Sequence, residues 1–256
     1  MASVLPKEIV DLRAVSGLVG RSLLDVLTSG MYSDPRMALR EYVQNSVDSI
    51  DIAIENNIYR EEQPYVSIVL DGRFRNIIIE DNGKGVSVDN LDECLGSLGC
   101  SKKSRTGQRG FRGIGRLGGL AYCDVLRFET RCNGCEPVNI VEWNGNALRE
   151  QIGSTPRFEE LNDAVRGVAR VGFRLADSEK DPDRFFRVIM NNVHRFHSDM
   201  LMNVKSVRDY LSQTAPVPFS ESKFSFADHI VRHIEGMPCY RAYNILLNEL
   251  PIIRPY

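Results

Sequence analysis

No run of apolar residues in this chain approaches the roughly 18 that a membrane-spanning helix needs, and the first residues lack the pattern of a secretory signal. A cytoplasmic protein is therefore expected. Charge of one sign is also scarce: 32 Lys and Arg stand against 34 Asp and Glu, and a net charge of −2 leaves no global electrostatic footprint for DNA or RNA. No G-x-x-x-x-G-K-[ST] occurs, which excludes a Walker-type phosphate loop. There is no internal repeat and no low-complexity segment. Among six cysteines only Cys132 and Cys135 form a C-x-x-C, without a second pair or a nearby His pair to complete a zinc site. Asn133-Gly134 between the strand-like runs 125–131 and 138–143 predicts a tight hairpin there instead, with reduced thiols.

One absence is local. From Cys94 to Cys123 there is no Asp or Glu, while Lys102, Lys103, Arg105, Arg109, Arg112 and Arg116 are present with eight of the chain's 20 glycines. Glycines expose backbone N–H groups, and a following helix N-terminus favours anions, so the segment fits a phosphate cradle as well as a flexible basic linker. The spacing of Phe111, Ile114, Leu117 and Leu120 predicts a helix that begins inside it. Gly113-Ile114-Gly115-Arg116-Leu117-Gly118 matches the dinucleotide fingerprint formally, but no strand precedes it, so a Rossmann site is not expected.

Two polar constellations stand out. Ser33-Asp34-Pro35 reads as a helix start, with Ser33 or Asp34 as N-cap. In that helix Glu41, Asn45 and Asp48 fall within about 60° of one another, while Leu39, Val43, Val47, Ile50 and Ile54 gather on roughly the opposite side. These residues alone fit either a solvated face or the wall of a cleft. The second constellation ends a predicted hairpin of strands 65–70 and 74–79 turning at Asp71-Gly72. It reads Asp81-Asn82-Gly83-Lys84-Gly85. An aspartate there can accept from an exocyclic amine, and glycines let a planar ring approach, although Asp-Asn-Gly is also an ordinary turn.

Taken in order, the run from Leu39 to Asp48, then Asp81-x-Gly83-x-Gly85, then Gly110-Phe111-Arg112-Gly113-Ile114-Gly115 resemble the three nucleotide motifs of the GHKL superfamily. That superfamily holds DNA gyrase, the heat-shock protein 90 chaperones, sensor histidine kinases and MutL. The lead-in Met31-Tyr32-Ser33-Asp34 and the Leu-Arg-Glu run look most like the heat-shock branch, and Gly-Phe-Arg-Gly looks like MutL. The resemblance covers roughly residues 7 to 180. It implies the Bergerat fold, an α/β two-layer sandwich with a mixed, mainly antiparallel sheet and helices on one face.

By position it implies Glu41 as general base for the attacking water and Asn45 as ligand of the magnesium that bridges the phosphates. Asp48 would order nucleotide and water, and Asp81 would bind the adenine amino group. Gly83 and Gly85 would shape the base pocket. Gly110, Gly113 and Gly115 would hold phosphates beneath a lid at 92–116. In the family a following domain commonly contributes the phosphate-sensing cation; Lys102 or Lys103 of the lid would substitute for it here. In hydrolytic members a Gly-Thr pair precedes a late strand near the base; the corresponding strand is expected at 168–175, where Gly167-Val168 stands instead.

Residues 1–215 are expected to form the ATP-binding domain. Residues 216–256 would be a C-terminal extension, the start of a second domain, after a break at Ala215-Pro216-Val217-Pro218. A long helix is predicted over 183–202, with His194 and His197 side by side, and further elements over 206–212, 224–234 and 240–247. The implied activity is Mg-dependent ATP hydrolysis, with lid closure, a nucleotide-dependent homodimer and a protein client the sequence does not name. The alternative is an ATP-gated interaction module with little turnover, of the DNA-repair, defence or chromatin type. Glu41 disfavours a sensor kinase, which generally lacks that base.

Overall fold

The computed structural model describes residues 11–14, 34–91, 115–132, 134, 136–154, 168–196, 198–220, 226–234 and 241–255. Its strands are β1 (Asp11–Ala14), β2 (Val66–Asp71), β3 (Asn76–Asp81), β4 (Cys123–Arg131), β5 (Val138–Asn144), β6 (Ala169–Arg174), β7 (Phe185–Val193), β8 (Ile245–Leu247) and β9 (Leu250–Pro251). The helices are α1 (Arg36–Glu55), the one-turn α2 (Val88–Leu91), α3 (Gly145–Ser154), α4 (Val204–Thr214) and α5 (Ala227–Ile234), with a 3-10 helix at Gly115–Ala121. The strands form one sheet in the order β1-β6-β5-β4-β7-β3-β2-β8-β9. Among these strands every neighbouring pair is antiparallel except β2 with β8. The mixed, mainly antiparallel α/β sandwich expected from the sequence is the fold observed.

Helix α1 begins where the Asp34 carboxylate accepts the Arg36 N–H at 2.9 Å, satisfying one of the donors that a helix start leaves unpaired. Pro35 occupies the capping position itself and offers no side-chain bond. The helix ends at Asn56, whose Nδ2 donates to the Ile52 carbonyl. Leu39, Val43, Val47 and Ile50 are fully buried and share one core with Ile68, Ile77, Ile79, Leu126, Phe128 and Met190 of the sheet. Burial of those four helix side chains contributes on the order of 6–12 kcal/mol relative to exposure, before entropy is subtracted. The apolar stripe thus points into the sheet, and the Glu41 stripe does not.

Strand alternation sends a different chemistry to the other face of the sheet. There Glu129 and Arg174 are buried, with Arg174 Nη2 donating to Glu129 Oε2 at 2.8 Å. Arg187 donates to the same oxygen at 3.0 Å and, through Nε, to Glu80 at 2.7 Å. Burial pushes the Asp181 carboxyl up, yet the Arg174 guanidinium and the Asp177 N–H outweigh it and hold Asp181 at about 2. Charges this deep persist because each is paired.

Three expected elements differ. The hairpin turns over residues 72–75 rather than at a two-residue turn, with Asp71 Oδ1 accepting from the Arg73 and Phe74 N–H groups and Arg75 at φ 53. The second strand therefore starts later and runs through Asp81. The predicted helix over 183–202 is instead β7, in the middle of the sheet. His194 follows that strand and pairs with Asp124 at 2.7 Å; His197 lies outside the described residues. The segment after Pro218 returns to the sheet: β8 lies along β2, and Tyr243, Ile245, Leu247 and Ile252 join the main core. Among the described residues no helix is long and apolar enough to cross a membrane.

Candidate active site

Asp81 closes β3 on the face that meets α1, and it is fully buried. Its Oδ1 accepts the Gly83 N–H at 3.0 Å. Its Oδ2 is buried with no hydrogen-bond partner among the described residues. Burial pushes this carboxyl up to about 7, against the pull of the Ser46 hydroxyl and the Gly83 N–H. An unsatisfied buried acceptor is costly unless something donates to it, so this oxygen fits the exocyclic amine of a base.

The turn after Asp81 is docked on α1. The Lys84 N–H donates to Ser49 Oγ at 3.0 Å and approaches the Ser49 carbonyl at 3.3 Å. A Cβ at Gly83 would stand 2.4 Å from Ser49 Oγ and 2.8 Å from the Ser49 carbonyl carbon, so only glycine permits this approach. Gly85 has φ +70, and a Cβ there would meet the Arg131 carbonyl oxygen at 2.7 Å. Asn82 is held from both sides, accepting the Tyr65 N–H and donating to the Gln63 carbonyl, each at 2.9 Å. The two glycines of Asp-x-Gly-x-Gly are thus steric requirements of packing the turn between α1, at Gly83, and the end of β4, at Gly85.

Toward the helix start lies Glu41, whose side chain is 28% exposed. Its Oε1 accepts from Arg40 at 2.9 Å. Its Oε2 lies toward Gly115, where a Cβ would come within 2.7 Å of it. Gly115 opens the 3-10 helix, which is pinned to α1 where the Gly119 N–H donates to the Tyr42 hydroxyl at 2.8 Å. Asn45 and Asp48 sit between the two ends and are partly exposed, with Gln44 Nε2 donating to Asp48 at 2.8 Å. From Glu41 to Ser49 the helix rises about 12 Å, a span that accommodates a nucleoside triphosphate laid along it.

Glu41, Asn45 and Asp48 therefore share one flank of α1, Gly83 packs on it at Ser49 beside Asp81, Gly115 meets it at Glu41, and Gly85 packs instead against Arg131 at the end of β4. Lys102, Lys103, Gly110 and Gly113 lie outside the described residues. The late strand beside Asp81 is β7, not the 168–175 strand: Phe186 is paired with Asp81, while β6 lies several strands away from β3. Sequence reasoning also passed over Ser46, Ser49 and Tyr42, and no local signal marks them, because their partners are about 35 or more residues distant. Near the turn, Cys132 is a free thiol pushed up to about 11 by burial; Cys135 is not among the described residues.

A helix that carries Glu, Asn and Asp along one flank, above a buried Asp on a glycine turn in a mixed-sheet sandwich, defines a nucleotide-binding domain of the GHKL class. Residues 32–164, just over half of the chain, match the family model described as "Histidine kinase-, DNA gyrase B-, and HSP90-like ATPase", and the chain belongs to that family. Among curated proteins it is similar to the chaperone protein HtpG of Chlorobium phaeobacteroides, at 24% identity over 90% of this chain and 42% of that one. It is also similar to HtpG of Paraburkholderia xenovorans, at 31% identity over 62% of this chain and 27% of that one. HtpG of Alkaliphilus metalliredigens is 32% identical over 38% of this chain and 17% of its own length. The chain spans less than half the length of these relatives.

Proposed function

We propose that this chain binds Mg-ATP along α1 and hydrolyses it, with Glu41 as general base. The observation that carries the reading is the buried, unpartnered Oδ2 of Asp81 on a turn that only glycine can form. Asp81 accepts from the adenine amino group, and Gly83 and Gly85 admit the ring. Asn45 offers a neutral amide oxygen to magnesium, a hard cation that prefers oxygen donors. Bound magnesium would neutralise charge on the β- and γ-phosphates. Asp48 orders the nucleotide and the water around it.

Glu41 takes the proton of a water as that water's oxygen bonds the γ-phosphorus. The bond from that phosphorus to the bridging oxygen breaks, and ADP and phosphate leave. Gly115 matters here through space: its missing side chain lets the Glu41 carboxylate lie where it does. Gly110 and Gly113 hold phosphates under a lid at 92–116 whose Lys102 or Lys103 senses the γ-phosphate. Lid closure drives two copies together around a protein client, and the similarity to proteins named as chaperones supports the client.

A second reading, an ATP-gated interaction module with slow turnover, is favoured by the Arg40 guanidinium already engaging Glu41 Oε1. Two measurements separate them. Phosphate release with Mg-ATP should be steady and catalytic, and sedimentation should give dimers with a non-hydrolysable ATP analogue and monomers with ADP. Dimers without release would favour the gated module, and absence of both would overturn the proposal.

A further inference from the structure

Arg184 stands immediately before β7 and reaches back to the turn beyond Asp81. Its Nε donates to the Gly83 carbonyl at 2.8 Å and to the Asn82 carbonyl at 3.2 Å. The same guanidinium bonds Glu62 through Nη2 and lies over the Tyr59 ring, 5.1 Å from its centre. Its side chain is only 14% exposed, so it is held rather than solvated. None of these partners belongs to the ion network across the far face of the sheet. Every one belongs to the turn or to the segment just after α1.

The peptide groups that Arg184 engages are the ones that orient Asp81. Gly83 offers its N–H to Asp81 Oδ1 and its carbonyl to Arg184, so one residue transmits position from guanidinium to carboxylate. Asn82 is fixed in the same way, its side chain by Tyr65 and Gln63 and its carbonyl by Arg184. Charge-assisted bonds to carbonyls are stronger than neutral ones, and a planar fork fixes direction as well as distance. On the base side the turn is docked on Ser49, and on the other side Arg184 closes it.

We infer that Arg184 is a positioning residue for base recognition: it clamps the Asn82-Gly83 turn so that the Asp81 carboxylate is set for adenine. The inference rests on the assignment of the base to Asp81. Its consequence is selectivity. A loosened turn lets Asp81 drift and reduces discrimination between adenine and guanine, while contacts to the phosphates, made at the far end of α1, stay as they are.

The test compares the unmodified chain with Arg184→Ala, Arg184→Lys and Asp81→Asn by calorimetric titration of Mg-ATP and Mg-GTP, with inorganic tripolyphosphate as a phosphate-only probe. Arg184→Ala should weaken ATP about tenfold, narrow the ATP-to-GTP ratio and leave tripolyphosphate affinity unchanged. Arg184→Lys, which keeps the charge but not the fork, should fall between, and it carries the test alone if the alanine variant does not fold. Equal weakening of all three ligands would mean a general structural role and overturn the inference. If Asp81→Asn loses ATP affinity and the Arg184 variants do not, the clamp fails and the base site stands. If no variant changes ATP affinity, both fail.

Discussion

The two ends of the α1 flank are built differently. At Asp81 the carboxylate, Asn82 and Gly83 are buried and, with only Asp81 Oδ2 left open, the turn is held from several sides: Gly83 on the carboxylate, Ser49 on the turn, Tyr65, Gln63 and Arg184 on Asn82. At Glu41 the carboxylate is partly exposed, touched by a neighbouring arginine and by the open space of Gly115. The base end belongs to the sheet and its core. The other end belongs to a helix face and to the start of the 3-10 helix. Under the proposed function, recognition that must not vary would sit on rigid elements, and chemistry that must admit water and phosphate would sit where groups can rearrange.

The comparison breaks most visibly at Glu41. Glu41→Ala should lower steady-state phosphate release roughly a hundredfold or more, because the proposed chemistry assigns the proton to Glu41 and gives Asp48 only an ordering role; release within a fewfold of the unmodified chain would remove Glu41 from the chemistry. Asp81→Asn should come next, with ATP affinity lower by about tenfold by calorimetry, since a charge-assisted acceptor becomes a neutral one. Gly115→Ala sharpens the contrast further. A methyl group there would sit 2.7 Å from Glu41 Oε2 and push the carboxylate aside. Turnover should drop about tenfold while affinity stays near its original value; reduced affinity with normal turnover would reverse the assignment of the two ends.

The smallest effect expected is on pH, and its sign is opposite for stability and for binding. Asp81 is raised from 3.8 to about 7 in the fold, so between those values the folded state holds a proton that the unfolded chain has released. Stability from this group is therefore fully present below about pH 4 and lost as pH rises toward about 7. Nucleotide affinity should run the other way, strengthening as pH rises through about 7 and the carboxylate forms. Thermal melting and ATP titration across that range, compared with Asp81→Asn, check both. Parallel pH profiles in the two proteins would assign the titration to another group.

The turn that carries Asp81 was legible in the sequence because its pattern is local. Asp81, Gly83 and Gly85 lie within five residues, and the helix stripe of Glu41, Asn45 and Asp48 comes from helical periodicity. The fold class was legible through the three motifs in order. What was hidden is what those motifs rest on. Ser49 and Arg184 meet the turn across 35 and 101 residues of chain, and nothing near them announces it.

The error at 183–202 has a physical cause. β7 is a central strand with apolar side chains buried on both faces, Phe185 and Ile189 on one and Val188 and Met190 on the other. With Val193 these spacings imitate the i, i+3, i+4 pattern of a helix, and a strand buried on both sides lacks the alternation that would identify it. Arg184 was lost with it. Beyond the break at Pro216 and Pro218, β8 rejoins the sheet beside β2.

The central claim is that recognition and turnover are separable along α1. It is tested most directly by measuring ATP affinity and saturated phosphate release on the same preparations of Glu41→Ala and Asp81→Asn. The account predicts that Glu41→Ala keeps its affinity and loses its rate, and that Asp81→Asn loses affinity but recovers most of its rate once ATP saturates. Loss of both quantities in both variants would contradict it.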